Sequence, residues 1–128
     1  MKQSVMLTIA SLLSVLLLTF HLADDIVRGF EKGGLSNLVA APIVVVWLYA
    51  ALVLAERRSG YIIILLGSIL GSGIPVLHMR GKGVAGGIAN SSGGFFFVWT
   101  LIALGVTALF SVILSARGLW SLQRGQRR

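Results

Sequence analysis

Cysteine is absent from the 128-residue chain, which rules out disulfides, thiolate metal ligands and thiol catalysis. Charge is scarce too. Only 12% of the residues are charged, against about 25% in soluble domains. Four acidic residues and two histidines, His21 and His78, complete the supply of acid–base and metal-ligating chemistry. A chain so poor in polar groups cannot coat a water-facing surface, so the expected solvent is a bilayer. Charges near the middle of the apolar runs are also missing, which argues against an ion or proton pathway. No Ser-His-acid motif occurs in a recognisable context, so hydrolysis has no support and no catalytic residue is assigned.

What is present is apolar: 56% of the residues are hydrophobic and mean hydropathy is +0.93. Four runs of about 20 residues stand out, each long enough as a helix to cross the hydrocarbon core. Backbone groups in lipid must be satisfied internally, so helices rather than strands are expected. The sequence predicts an all-α, four-helix transmembrane bundle in up-down-up-down order. Its spans are approximately 4–24, 35–55, 61–79 and 95–117, with an outer glycine-rich loop at 80–94 and a basic cytoplasmic tail at 117–128. The first run is too long for a secretory h-region, and cleavage after Ala23 would set bulky His21 where a small residue is wanted.

The net charge of +7 resides in lysines and arginines that flank the apolar runs, a pattern of membrane proteins rather than of nucleic-acid binding. Seven of them, Lys2, Arg57, Arg58, Arg117, Arg124, Arg127 and Arg128, fall on one predicted side. Arg28, Lys32, Arg80 and Lys82 fall on the other. Both termini are therefore expected in the cytoplasm, with Arg57, Arg58, Arg117, Arg124, Arg127 and Arg128 meeting anionic lipid headgroups of the inner leaflet. The build resembles that of small four-span bacterial membrane proteins, which implies the inner membrane.

Small residues mark two helix faces. Gly67-x-x-x-Gly71 in the third span, and Ala103, Thr107 and Ser111 in the fourth, allow close helix approach. Pro42 in the second span predicts a mild kink. Phe95–Phe97 and Trp99 read as anchors of the outer end of the fourth span. Gly81-x-Gly83-x-x-Gly86 has the letters of a dinucleotide fingerprint without the strand and helix that give it its mechanics.

The concentrated chemistry lies at the end of the first run, where His21, Asp24 and Asp25 stand within five residues. Ser14, His21, Asp25 and Arg28 fall within about a 60° arc of one helix, with Ser11 beside it. In a four-span chain the first and third spans run parallel, so His21 and His78 are expected at the same rim. Three readings follow. The groups could be ordinary interfacial residues, neutralised by Arg28 or Arg80. They could bind a divalent metal through His21, Asp24, Asp25 and His78. Or His21 and His78 could be the axial ligands of a b-type haem serving electron transfer, with Arg28, Lys32, Arg80 and Lys82 on its propionates. The leading expectation is a non-enzymatic accessory subunit, assembling with itself or with a larger membrane complex through its small-residue faces.

Overall fold

The computed structural model describes residues 1–79 and 87–126. Among them there is no strand. The chain forms four helices, α1 (Gln3–Val27), α2 (Ala40–Leu52), α3 (Arg58–His78) and α4 (Gly94–Gln126). Single 3-10 turns over Leu35–Val39 and Gly87–Asn90 precede α2 and α4. Counting the 3-10 turn with α2, all four are long and apolar enough to cross a membrane.

The boundaries have local causes. α1 stops where Gly29 takes a left-handed φ of 79°, a conformation open to glycine at no steric cost. The amide of Phe30 then donates back to the Asp25 carbonyl at 2.9 Å, and that of Gly29 to Ile26 at 3.1 Å. This paired closure satisfies carbonyls that the helix end leaves free and turns Phe30 back over it. Pro42 does not kink a continuous span. It stands in the first turn of α2, where a missing N–H removes no helical bond, and the 3-10 turn takes up the change of geometry. α4 continues unbroken through Arg117 to Gln126, so most of the basic tail is helix.

Polarity is inverted relative to a soluble bundle. Ser11, Ser14, Ser68, Thr100, Ser111 and Ser115 are buried, while Leu13, Val45, Leu66 and Ile102 are exposed. Most of the buried hydroxyls donate to a carbonyl three or four residues earlier, as Ser14 does to Ala10 at 2.8 Å, which removes their need for water. The hydroxyl oxygens of Ser14 and Thr107 meet 3.0 Å apart across the α1–α4 contact.

α4 is the central element, packed against α1 and α3, while α2 lies more loosely on α1 and α3. The core gathers Leu7, Val15, Trp47, Ala50, Ala51, Tyr61, Ile64 and Leu114. Gly67 and Gly71 lie beneath the indole of Trp47, and a Cβ on Gly71 would also touch Ala108. At one end of the molecule Gln3 bonds the Leu114 carbonyl at 2.8 Å, and Tyr61 packs on Gly118. At the opposite end, α1 and α3 finish where α4 begins. The ionisable groups meet there.

Candidate metal centre

Asp24 and Asp25 occupy the last turn of α1, where the helix macrodipole is negative and a carboxylate is disfavoured by about 0.3–1 kcal/mol. Each needs a compensating cation. Asp24 has one of its own, since Arg28 donates to Oδ2 at 2.8 Å one turn on. Arg28 further bonds the Ser91 hydroxyl at 3.0 Å and the Ser92 carbonyl at 3.3 Å. Its guanidinium lies 5.5 Å from the Phe97 ring centre. Asp24 is thereby drawn out of the proposed ligand set. Adjacent residues on a helix diverge by about 100°, and the arginine holds Asp24 on its own side.

Asp25 faces inward, onto imidazoles. Its Oδ2 lies 3.6 Å from His21 Nε2 and 3.2 Å from His78 Nε2. One ligand atom from each of the three residues falls within 4.8 Å of the others. His21 is 2% exposed, and its ring meets that of His78 edge to face with centres 4.8 Å apart. Phe97, fully buried, packs against both rings at 5.1 and 6.0 Å.

The hydrogen-bond partners favour one tautomer of each ring. Thr100 donates its hydroxyl hydrogen to the Phe97 carbonyl at 3.1 Å, so toward His21 Nδ1, 3.3 Å away, its oxygen accepts. His78 Nδ1 lies 3.0 Å from the Ile74 carbonyl, which can only accept. Both neutral rings therefore hold their proton on Nδ1 and turn an Nε2 lone pair toward the same carboxylate oxygen. A proton shared between His78 and Asp25 satisfies that pair alone. His21 Nε2 and Asp25 Oδ1 are still buried without a partner, and 3.6 Å is beyond hydrogen-bond reach.

A divalent cation could be held by Asp25 Oδ2 and the two Nε2 atoms together. Held about 2.1 Å from each ligand, a tetrahedral ion sets ligand atoms about 3.4 Å apart; the two carboxylate–imidazole separations are 3.2 and 3.6 Å, and the whole set lies within 4.8 Å. Nδ1–H bonds to a carbonyl and a hydroxyl are the outer-shell contacts that orient metal-binding histidines. Three protein ligands leave a coordination position open. A bis-imidazole haem does not fit, because the macrocycle must lie between two rings that here touch each other. Arg28, moreover, is taken by Asp24, the Ser91 hydroxyl and the Ser92 carbonyl. Arg80 and Lys82, proposed partners of its propionates, and the Gly81–Gly86 motif lie outside the described residues, as do Arg127 and Arg128.

Of the other predicted site residues, Gly67 and Gly71 face Trp47, Thr107 bonds Ser14, and Ser111 is fully buried. Ala103 is half-buried. Arg57, Arg58, Arg117 and Arg124 are exposed at the end opposite the imidazoles, and Arg124 lies 4.0 Å over the Trp120 ring. Sequence reasoning missed Thr100 and Phe97. The buried stripe of α4, Phe97, Thr100, Leu101, Leu104, Ala108, Ser111 and Ser115, repeats every three or four residues. A strict interval of four drifts about 40° per step away from it.

No family model matches the chain, and no curated protein or solved structure is significantly similar to it.

Proposed function

We propose that this is a metal-binding integral membrane protein of the bacterial inner membrane, holding one divalent transition-metal ion at its outer rim through His21, Asp25 and His78. The observation that carries the reading is the convergence of two imidazole lone pairs and one buried carboxylate, with both Nδ1–H groups already committed elsewhere. Without thiolates the set suits zinc or iron(II). In this reading the spans run up-down-up-down with both termini in the cytoplasm and the imidazole rim outside, supported by the excess of arginine beside the termini. The exposed arginines at the inner end meet anionic headgroups.

The ion is coordinated by neutral imidazoles and an ionised carboxylate, so binding releases any protons they carry and weakens on acidification. Calorimetric titration of zinc into the detergent-solubilised chain, followed by metal analysis, tests the reading. One equivalent bound by the parent and none by His78→Ala is expected; an unchanged His78→Ala isotherm refutes it.

An accessory-subunit role requires another surface, since Gly67, Gly71, Thr107 and Ser111 serve contacts among the chain's own helices. Stable complexes in native mass spectrometry would support it.

A further inference from the structure

The three ligands of the proposed centre are unequally placed. His21 and Asp25 come from successive turns of α1, with side chains 2% and 8% exposed. His78 is the last residue of α3, and its side chain is 27% exposed. The unpartnered atoms of the α1 pair, His21 Nε2 and Asp25 Oδ1, have essentially no surface open to solvent. On the α4 side, Phe97 and Thr100 are buried against the His21 ring. An ion arriving from water therefore reaches the pair only if a side chain moves.

His78 is the side chain with the least to hold it. Among the described residues its Nδ1 bonds the Ile74 carbonyl one turn earlier on its own helix, and its Nε2 meets Asp25. Pro75 stands in the same last turn of α3, where its missing N–H removes one bond of the helical ladder. His21, by contrast, is enclosed by Phe97, Thr100 and His78.

We infer that the centre exchanges its ion with soluble acceptors, and that His78 is the ligand that opens and closes it. The inference rests on the metal-binding reading above. His78 turns aside to admit a divalent ion, then closes on it beside His21 and Asp25. Transfer out is a ligand substitution with no change of oxidation state. A carboxylate or imidazole of the acceptor forms a bond at the open coordination position, and the bond to His78 Nε2 breaks.

Two measurements on the full chain in detergent test this. The zinc-loaded protein is mixed with excess pyridylazoresorcinol, a soluble chelator whose zinc complex is coloured. The rate of zinc transfer is expected to double when the chelator is doubled, because the incoming donor binds before the ion is free. A rate independent of chelator means that the ion must first escape a closed site, which overturns the inference and leaves the metal reading standing. A parent that retains no zinc removes both. The second measurement is carbethoxylation of the metal-free chain, followed at each histidine by peptide mass. His78 is expected to react faster than His21, roughly in the ratio of their side-chain exposures, 27% to 2%, and zinc should protect it. Equal reaction of the two histidines, or faster reaction of His21, refutes His78 as the way in.

Discussion

Thr100→Val separates a metal centre from a merely crowded rim. Thr100 is 1% exposed on α4 and touches His21 through a single oxygen, 3.3 Å from Nδ1. Valine has nearly the same shape and is at home in an apolar helix, and the Phe97 carbonyl that loses the threonine hydroxyl still lies within the helical ladder. What disappears is the acceptor for the Nδ1–H of a buried imidazole. The ring must then either leave that N–H unsatisfied, at about 1–3 kcal/mol, or move its proton to Nε2 and forfeit the lone pair that binds the ion. Either route weakens metal binding by about 10- to 100-fold, the usual range for losing an outer-shell partner. Thr100→Ser restores the oxygen and is expected to bind within about threefold of the parent, less than one net hydrogen bond is worth.

The assay is calorimetric titration of zinc into each purified variant, with the visible bands of a cobalt(II) derivative reporting coordination number. Helical content by circular dichroism should be the same in all three proteins. Valine and serine variants of equal affinity, both near the parent, would show that Thr100 does not orient a ligand, and the tautomer argument would fall with it.

Three further outcomes can be checked in parallel. Asp24→Asn should keep zinc affinity while Asp25→Asn loses it, because the Asp24 carboxylate is bound to Arg28 at 2.8 Å; equal losses would return Asp24 to the ligand set. Arg28→Ala frees the Ser91–Ser92 segment, and the Ser91 and Gly94 amides, which bond Ile88 and Ser91, should exchange hydrogen about fivefold faster, as befits partly exposed ion-pair and cation–π contacts. A Cβ at Gly118 would run into the Tyr61 ring, whereas one at Gly73 meets nothing within 4 Å. Gly118→Ala should therefore destabilise the chain in SDS titrations by about 1–3 kcal/mol, and Gly73→Ala should stabilise it by up to about 1 kcal/mol.

Much of this could be read from the sequence because lipid imposes simple rules. Run length and the need for internal hydrogen bonding define the four helices, and chain order alone brings His21 and His78 to one end. The i, i+4 spacing of His21 and Asp25 likewise places both on one face. The remainder depends on contacts between elements distant in the chain. Phe97 belongs to an aromatic cluster that looks like an interfacial belt, yet its register on α4 turns it inward while Phe95 and Trp99 stay exposed. Thr100 resembles the many threonines that bond their own helix, and only the position of α1 gives its oxygen a second task. Arg28 shares an arc with Asp25, but its long side chain reaches back to Asp24. Trp47 is buried because Gly67 and Gly71, on another helix, present no side chain to its ring.

The two ends of the molecule are stabilised by different means, and this has a thermodynamic consequence. The end that carries the termini closes by packing, with Tyr61 against Gly118 and Gln3 on the Leu114 carbonyl. At the opposite end a carboxylate sits on the negative pole of α1, two imidazoles face it, and α1 and α3 touch far less than either touches α4. An ion that bridges His21, Asp25 and His78 joins two helices that otherwise touch little, and no equivalent site exists in the unfolded chain. Linkage then requires that metal stabilise the fold by about 2.7 kcal/mol at a free concentration 100 times its dissociation constant. Zinc should accordingly raise the midpoint of thermal unfolding in the parent, leave Asp25→Asn unmoved, and act weakly on Thr100→Val. Equal stabilisation of the parent and Asp25→Asn would mean that zinc binds elsewhere, and the proposed centre would be wrong.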